Sequence, residues 1–292
     1  MNRRRVRFVL GSLAIAAALA VTACTTSGAT FPATNVTPAP TPSPSVADVV
    51  PTPGLKPTSA PTAAAATPTP APLVPSISMT TISDSGNTAG CGNWTISFAK
   101  PVVSGVSAAT AKEINDAITA RVTEYITGFK KNMPTEGPPP PGPCQLTGRA
   151  TVTLNSDGLI GISFNYDEYT GGAHPATIAG SINFVVSSGT EVSMGLLFSK
   201  TGGPAQLSTL SRPLLVALLG PRGIDASFID PGINPLLSNF DTAWAFRKEG
   251  LEITFQQYQV APGSEGTPTI VIPWTSLRGV INPSGPAGPL VD

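Results

Sequence analysis

Histidine is almost missing from this chain: His174 is the only one among 292 residues. A zinc-protease helix needs two histidines one turn apart, so that chemistry is excluded. Two-histidine metal hydrolases, polysaccharide deacetylases among them, are excluded on the same ground. Charge is scarce as well. Only 12% of residues are charged, and 17 positive side chains balance 17 negative ones. A nucleic-acid partner requires a basic stripe to neutralise phosphates, and a polybasic membrane contact requires clustered Lys and Arg. Neither has material here. The chain also lacks a G-x-S-x-G elbow and a G-x-x-x-x-G-K-[ST] phosphate loop. No nucleic acid, no cofactor and no metal site are expected.

The first residues carry an address. Arg3, Arg4, Arg5 and Arg7 precede an apolar run over residues 8–21, broken only by Gly11 and Ser12. That run is short of the ~20 residues a spanning helix needs. Val21-Thr22-Ala23-Cys24 follows. A basic start, a short apolar region and small residues before a cut site describe a secretory signal. The last four residues resemble the bacterial lipobox, in which the cysteine is lipidated and becomes the mature N-terminus. The expectation is a lipoprotein signal at 1–23, lipid on Cys24, and a domain held at the extracytoplasmic face of the cell membrane.

Cysteine is rare, and the count fits export. With Cys24 acylated, Cys91 and Cys144 remain of the three. Outside the cytoplasm a disulfide is the default for such a pair. It would close a loop of roughly 50 residues and stabilise by about 4 kcal/mol in the chain-entropy model. The rival is a metal site, but two thiols and one distant histidine make a poor tetrahedral set.

Residues 24–76 are a different material. Pro, Thr, Ala and Ser dominate, and Asp48 and Lys56 are the only charges. Such a segment cannot bury enough apolar surface to offset the entropy of ordering. It favours extended polyproline II, at ~3.1 Å per residue, so it would act as a stalk reaching at most ~150 Å. Thr/Pro-rich exported stalks are often O-glycosylated.

From about Ile77 the pattern becomes that of a folded domain, 77–292. Trp94, Ile96 and Phe98 alternate with polar residues as in a strand. Ser107 offers a helix N-cap. Ile114, Ile118, Val122, Tyr125 and Phe129 then recur at helical spacing, with Pro134 as the stop. Ala150, Val152 and Leu154 lead through Asn155-Ser156-Asp157-Gly158 to Ile160, Ile162, Phe164 and Tyr166, a hairpin. Ile178, Ile182, Phe184 and Val186 repeat the strand pattern. The stretch from Leu207 to Leu219 has helical character, although Pro213 is expected to start or kink a segment rather than sit inside one. Leu251, Ile253 and Phe255 share a strand face, and the change of parity toward Tyr258 and Val260 makes Gln256-Gln257 a candidate β-bulge. Ile270, Ile272 and Trp274 form a last strand. The sum is α+β: antiparallel or mixed sheets built from hairpins, largely a meander, with one long helix and a few short helices packed on them.

One constellation could carry chemistry. Asp167 and Glu168 lie near His174, and an acid beside an imidazole can act as a general base in a hydrolase. Adjacent carboxylates on a strand point to opposite faces, however. A histidine bonded to backbone around the Gly171-Gly172 turn is the favoured alternative. Trp94, Trp244 and Trp274 could form a sugar-stacking platform, but each sits in an alternating strand, where core packing is the ordinary role.

The order of several short pieces is similar to the RsiV-like extracytoplasmic domain family, over residues 93–280. Pro101-Val102-Val103-Ser104-Gly105 precedes the helix with Ile114-Asn115. Tyr169-Thr170-Gly171-Gly172-Ala173-His174-Pro175 is the most distinctive piece. Leu196-Leu197-Phe198, Asn239-Phe240, Gly250-Leu251, Phe255, Tyr258, Ala261-Pro262, Gly266 and Ile272-Pro273 follow in order. That family occurs in lysozyme-sensing anti-sigma factors, in mycobacterial secreted immunogenic proteins and beside peptidoglycan deacetylase domains. The resemblance implies an α+β envelope domain that binds partners and has no known chemistry of its own. It marks Tyr169, Gly171, Gly172, His174, Tyr258 and Pro262 as binding or structural residues, with two halves of the domain meeting near 169–175. Where the family often has Ala-Pro-Tyr-Ala-x-Gly, this chain has Ala261-Pro262-Gly263-Ser264-Glu265-Gly266. Lysozyme binding is therefore not carried over, and neither an anti-sigma nor a deacetylase role is expected. The expected function is a non-catalytic envelope domain that binds a protein or peptidoglycan; a purely structural envelope protein is the remaining alternative.

Overall fold

The computed structural model describes residues 74–156, 158–198, 202–234 and 243–291. The expected signal, Cys24 and the stalk as far as residue 73 lie outside these, as do Asp157, Asn239 and Phe240. The architecture is mixed α and β, with one sheet of six strands and a second of three. Among the described residues no helix is long and apolar enough to cross a membrane.

The first sheet runs in chain order: β1 (Ser76–Thr88), β2 (Gly92–Ser104), β3 (Cys144–Ser156), β4 (Leu159–Tyr169), β5 (Ala176–Val185) and the two-residue β6 (Thr190–Glu191). Helix α1 (Ala108–Asn132) crosses from β2 to β3, and these two strands are parallel, Trp94 opposite Cys144 through Ala99 opposite Arg149. The expected meander is thus interrupted once, because a parallel pair needs a crossover and α1 supplies it. Cys91 and Cys144 are joined by a disulfide across a separation of 53 residues. It ties the β1–β2 turn to the start of β3.

Strand β1 has no apolar alternation and was invisible to periodicity. It pairs with β2 along its whole length, from Ser76 opposite Ser104 to Thr88 opposite Gly92, with most side chains exposed. Pro101 lies inside β2, at a point where β3 no longer pairs with it. Beyond Ala99 no strand covers that edge of β2, where the Asn115 carboxamide accepts from the Val103 N–H and donates to its carbonyl, so a missing N–H at Pro101 costs no ladder bond.

The capping hydroxyl of Ser107 accepts from the Thr110 N–H, and Lys130 and Lys131 in the last turn complement the helix dipole. Ile114, Ile118, Val122 and Phe129 are fully buried. They meet Phe98, Ile160, Ile162, Phe164 and Phe184 on one face of the sheet. At about 1.5–3 kcal/mol for each fully buried side chain, this face is the first core.

The second sheet, β7 (Ala243–Phe246), β8 (Gly250–Thr254) and β9 (Thr269–Pro273), is antiparallel. It packs with α2 (Gly203–Leu219) and α3 (Ala226–Ile233) into a second core containing Leu207, Leu215, Ile229, Leu251, Ile253 and Phe255. A last turn, α4 (Gly288–Val291), closes over Trp274 and Leu277. Pro213 sits inside α2 and does not begin a segment, contrary to the expectation that it would not lie within one. Its missing N–H leaves one carbonyl a turn earlier without a helical partner, while Ser211 and Leu215 beside it hold the helix in the core.

A further correction concerns strand phase. Strand β8 ends at Thr254 and the chain turns at 257–259, so the parity change at Gln256-Gln257 is the end of the strand and not a bulge. The bulge is in β3, between Val152 and Leu154. It sends Leu154 to the second core, whereas Ala150 packs on the first.

The two sheets meet through hydrogen bonds as well as through apolar contacts such as that of Leu154. The outer edge of β7 has no neighbouring strand, and side chains of the first sheet take that place. Thr153 Oγ1 donates to the Phe246 carbonyl at 2.7 Å. The Trp244 N–H donates to Ser181 Oγ at 2.9 Å. The Asn183 amide donates to the Trp244 carbonyl at 2.9 Å and accepts from the Phe246 N–H at 2.8 Å. Gly161 permits the approach, since a Cβ there would lie 2.4 Å from the Phe246 carbonyl oxygen.

Candidate functional site

The stretch 170–175 links β4 to β5 within the six-stranded sheet. Gly171 and Gly172 have φ of 116° and 105°, values that L side chains rarely adopt. The Tyr169 hydroxyl donates to the Gly172 carbonyl at 3.2 Å and steadies the turn.

His174, Asp167 and Glu168 do not converge. Asp167 accepts from Thr177 Oγ1 at 2.7 Å, across the β4–β5 pair. Glu168 points the other way and accepts from the Asn132 amide at 2.9 Å, at the end of α1. His174 is exposed; its Nδ1 lies 2.8 Å from the Pro175 carbonyl. A carbonyl can only accept, so Nδ1 carries a proton, and in the neutral ring Nε2 is then an acceptor. That acceptor meets the Tyr258 hydroxyl at 3.3 Å. Among the described residues no group of three His, Cys, Asp or Glu is placed to hold a metal ion.

Tyr258 is the side chain that spacing arguments did not pair with His174. It has φ of 69° and is 58% exposed. Its ring lies over Gly263, where a Cβ would come 2.2 Å from Cζ. Gly263 therefore leaves room for the Tyr258 ring. Pro262 precedes it and begins the short 3-10 turn Gly263–Glu265.

Glutamines hold this loop. Gln257 Oε1 accepts from the Thr177 N–H at 3.1 Å, and its Nε2 donates to the Gly263 carbonyl at 2.9 Å. Gln259 Oε1 accepts from the Gln256 N–H at 2.8 Å and its Nε2 donates to the Gly232 carbonyl at 3.0 Å. Each carboxamide serves as a spare peptide group, offering one donor and one acceptor.

A cleft of about 590 Å³ opens beside β5, lined in part by Arg121, Tyr125, Ser181, Trp244 and Gln256. Burial raises the Tyr125 phenol above its usual range, against the lowering effect of Arg121. Burial likewise raises Tyr166, helped by the neighbouring Tyr125. Both are neutral hydroxyls at physiological pH. The two rings stack at 4.5 Å, and Gly180 makes room for the Tyr125 hydroxyl, which a Cβ would meet at 1.9 Å. The three tryptophans form no common platform. Trp274 is in the core, donating to the Arg247 carbonyl. Trp94 lies under Lys130, 5.1 Å from the ring centroid. Trp244 alone of the three lines the cleft.

Residues 92–177 match the family model described as Deacetylase PdaC, and residues 225–275 match that described as Protein of unknown function (DUF3298). A DUF3298 family protein from Pseudomonas aeruginosa is similar in structure, with 17% identity, a TM-score of 0.52, and coverage of 72% of this chain and 97% of its own. A DUF3298 family member from Bacteroides fragilis, also 17% identical, covers 76% and 99% at a TM-score of 0.49. The Pseudomonas likeness shows a shared fold. No curated protein matches the chain.

Proposed function

We propose that this chain is a non-catalytic binding domain of the bacterial envelope. It is exported, anchored to the membrane by lipid on Cys24, and held outward on the Pro/Thr/Ala-rich stalk. It presents the loops around His174 and Tyr258 to a protein or a wall glycan. The Pro/Thr stalk and the signal-like start support the location, and the RsiV-like pieces support the envelope setting.

One observation carries the binding surface. Tyr258, a large aromatic residue, is kept exposed in a left-handed conformation and hydrogen-bonded to the lone histidine. Local strain of this kind persists only where surrounding structure imposes it, and it gathers at ligand contacts and switches. Exposed aromatic residues with a polar tip are also the commonest anchors of binding surfaces. The deacetylase activity for which the PdaC family is described is not transferred, because Asp167 and Glu168 turn away from His174.

The test is equilibrium binding of the purified full chain to isolated peptidoglycan and to lysozyme. Tyr258→Ala is expected to weaken whichever partner binds by about tenfold or more, a loss of about 1.4 kcal/mol. A partner held equally well by the folded variant would refute the assignment of this surface.

A further inference from the structure

Strand β5 is the edge of the six-stranded sheet over most of its length, since β6 pairs only with Phe184 and Val185. Its odd-numbered residues direct their backbone outward. Near β6 the carbonyls of Val185 and Asn183 accept from Gly189 and Val192. Farther along, side chains stand in for the missing strand. Arg121 donates to the Ser181 carbonyl at 2.9 Å. The Gln256 carboxamide accepts from the Ala179 N–H at 3.0 Å and donates to its carbonyl at 2.8 Å, as one residue of an antiparallel neighbour would. Gln257 takes the Thr177 N–H. The N–H of Ser181 points the same way as its carbonyl and has no partner among the described residues. This edge and Trp244 line the 590 Å³ cleft.

We propose that the cleft binds an N-acetylated hexosamine glycan, with a sugar ring against Trp244 and an acetamido carbonyl accepting from the Ser181 N–H. Three features select this chemistry. The rim carries one cation between two carboxylates: Arg121 lies 3.4 Å from Glu124 and 3.1 Å from Glu191, which disfavours an anionic ligand. The open stretch of edge is one donor long, bounded by the capped Ala179 and the held Ser181 carbonyl. One amide fits it, whereas a peptide strand would have to displace Gln256 and Gln257. An aromatic wall beside polar groups suits the apolar face and the hydroxyl rim of a sugar ring. The site is separate from the Tyr258 surface and stands whether or not that surface has a partner.

The test titrates the purified full chain with tri-N-acetylchitotriose and, as the control without acetamido groups, cellotriose. Tryptophan emission and calorimetry are the readouts. Chitotriose is expected to bind at least about tenfold more tightly than cellotriose. Trp244→Ala should abolish binding. Because Trp244 also packs edge-on against Phe246, 5.6 Å away, Ser193→Arg provides a second variant. Ser193 is exposed and its side chain caps nothing, so the longer side chain closes the cleft without disturbing the core. Tyr258→Ala should leave chitotriose binding unchanged. No binding by the folded chain, equal binding of the two sugars, or full binding by folded Ser193→Arg would each overturn the proposal. Tighter binding of a blocked penta-threonine peptide would overturn it in favour of strand addition.

Discussion

Tyr258 is the one non-glycine residue with positive φ among those described. Holding an L residue in the left-handed region costs roughly 1–2 kcal/mol. Glycine would remove that strain, but it would also add unfolded-state freedom worth roughly 0.4–1 kcal/mol. Tyr258→Gly is therefore expected to change folding stability by no more than about 1 kcal/mol in denaturant titration while weakening the proposed partner. A loss of several kcal/mol would make Tyr258 a structural keystone and undercut its role as a binding residue. Its link to His174 could not have been read from the chain. The two are 84 residues apart on separate loops, and neither helical nor strand periodicity relates loop positions. The sequence did carry the signals for the Gly171-Gly172 turn and for the divergence of Asp167 and Glu168, because both follow from local backbone geometry.

At the scale of elements, the edge of β7 shows how polar residues can join two sheets. Each buried backbone group left without a partner costs roughly 1–3 kcal/mol. Asn183, 1% exposed, satisfies two such groups, whereas Ser181 and Thr153 satisfy one each. Asn183→Ala is expected to lower the unfolding free energy more than Ser181→Ala or Thr153→Val, with the three ranked by chemical denaturation. Equal and small effects would mean that the sheets are held by the apolar cores alone. The same polar residues explain what periodicity missed. Alternation located α1 and strands β2 to β5 because one face of each is apolar. It implied that the polar face of β4 and β5 meets water, whereas Ser163, Ser181 and Asn183 meet the second sheet and Asn165 meets Thr267 in the loop before β9. Strand β8 is buried on both sides, Glu252 included, with Arg247 and Ser163 as its partners. An alternating pattern cannot announce a charge that is buried because the adjoining turn supplies its counter-ion and another sheet supplies a hydrogen-bond donor.

For the molecule as a whole, the disulfide and the proposed lipid act at different levels. The Cys91–Cys144 bond spans 53 residues and closes the loop that contains α1. The chain-entropy model assigns such a closure about 4 kcal/mol, so reduction should shift the unfolding midpoint sharply downward. Mass mapping of the unreduced protein should find no free thiol at either position. The proposed anchor has no such part in folding, because Cys24 lies far upstream of the first described strand, β1. Cys24→Ala should therefore leave thermal stability and any partner affinity of the folded region unchanged. Its effect should appear in the cell, where the variant leaves the membrane fraction while the parent chain remains there and carries the mass of its acyl chains. A single acyl chain gives only marginal, reversible membrane binding, so stable retention of the parent implies at least two chains on the terminal residue. A Cys24→Ala protein still retained by membranes would sink the lipoprotein reading and leave an uncleaved apolar segment or the folded region itself as the anchor.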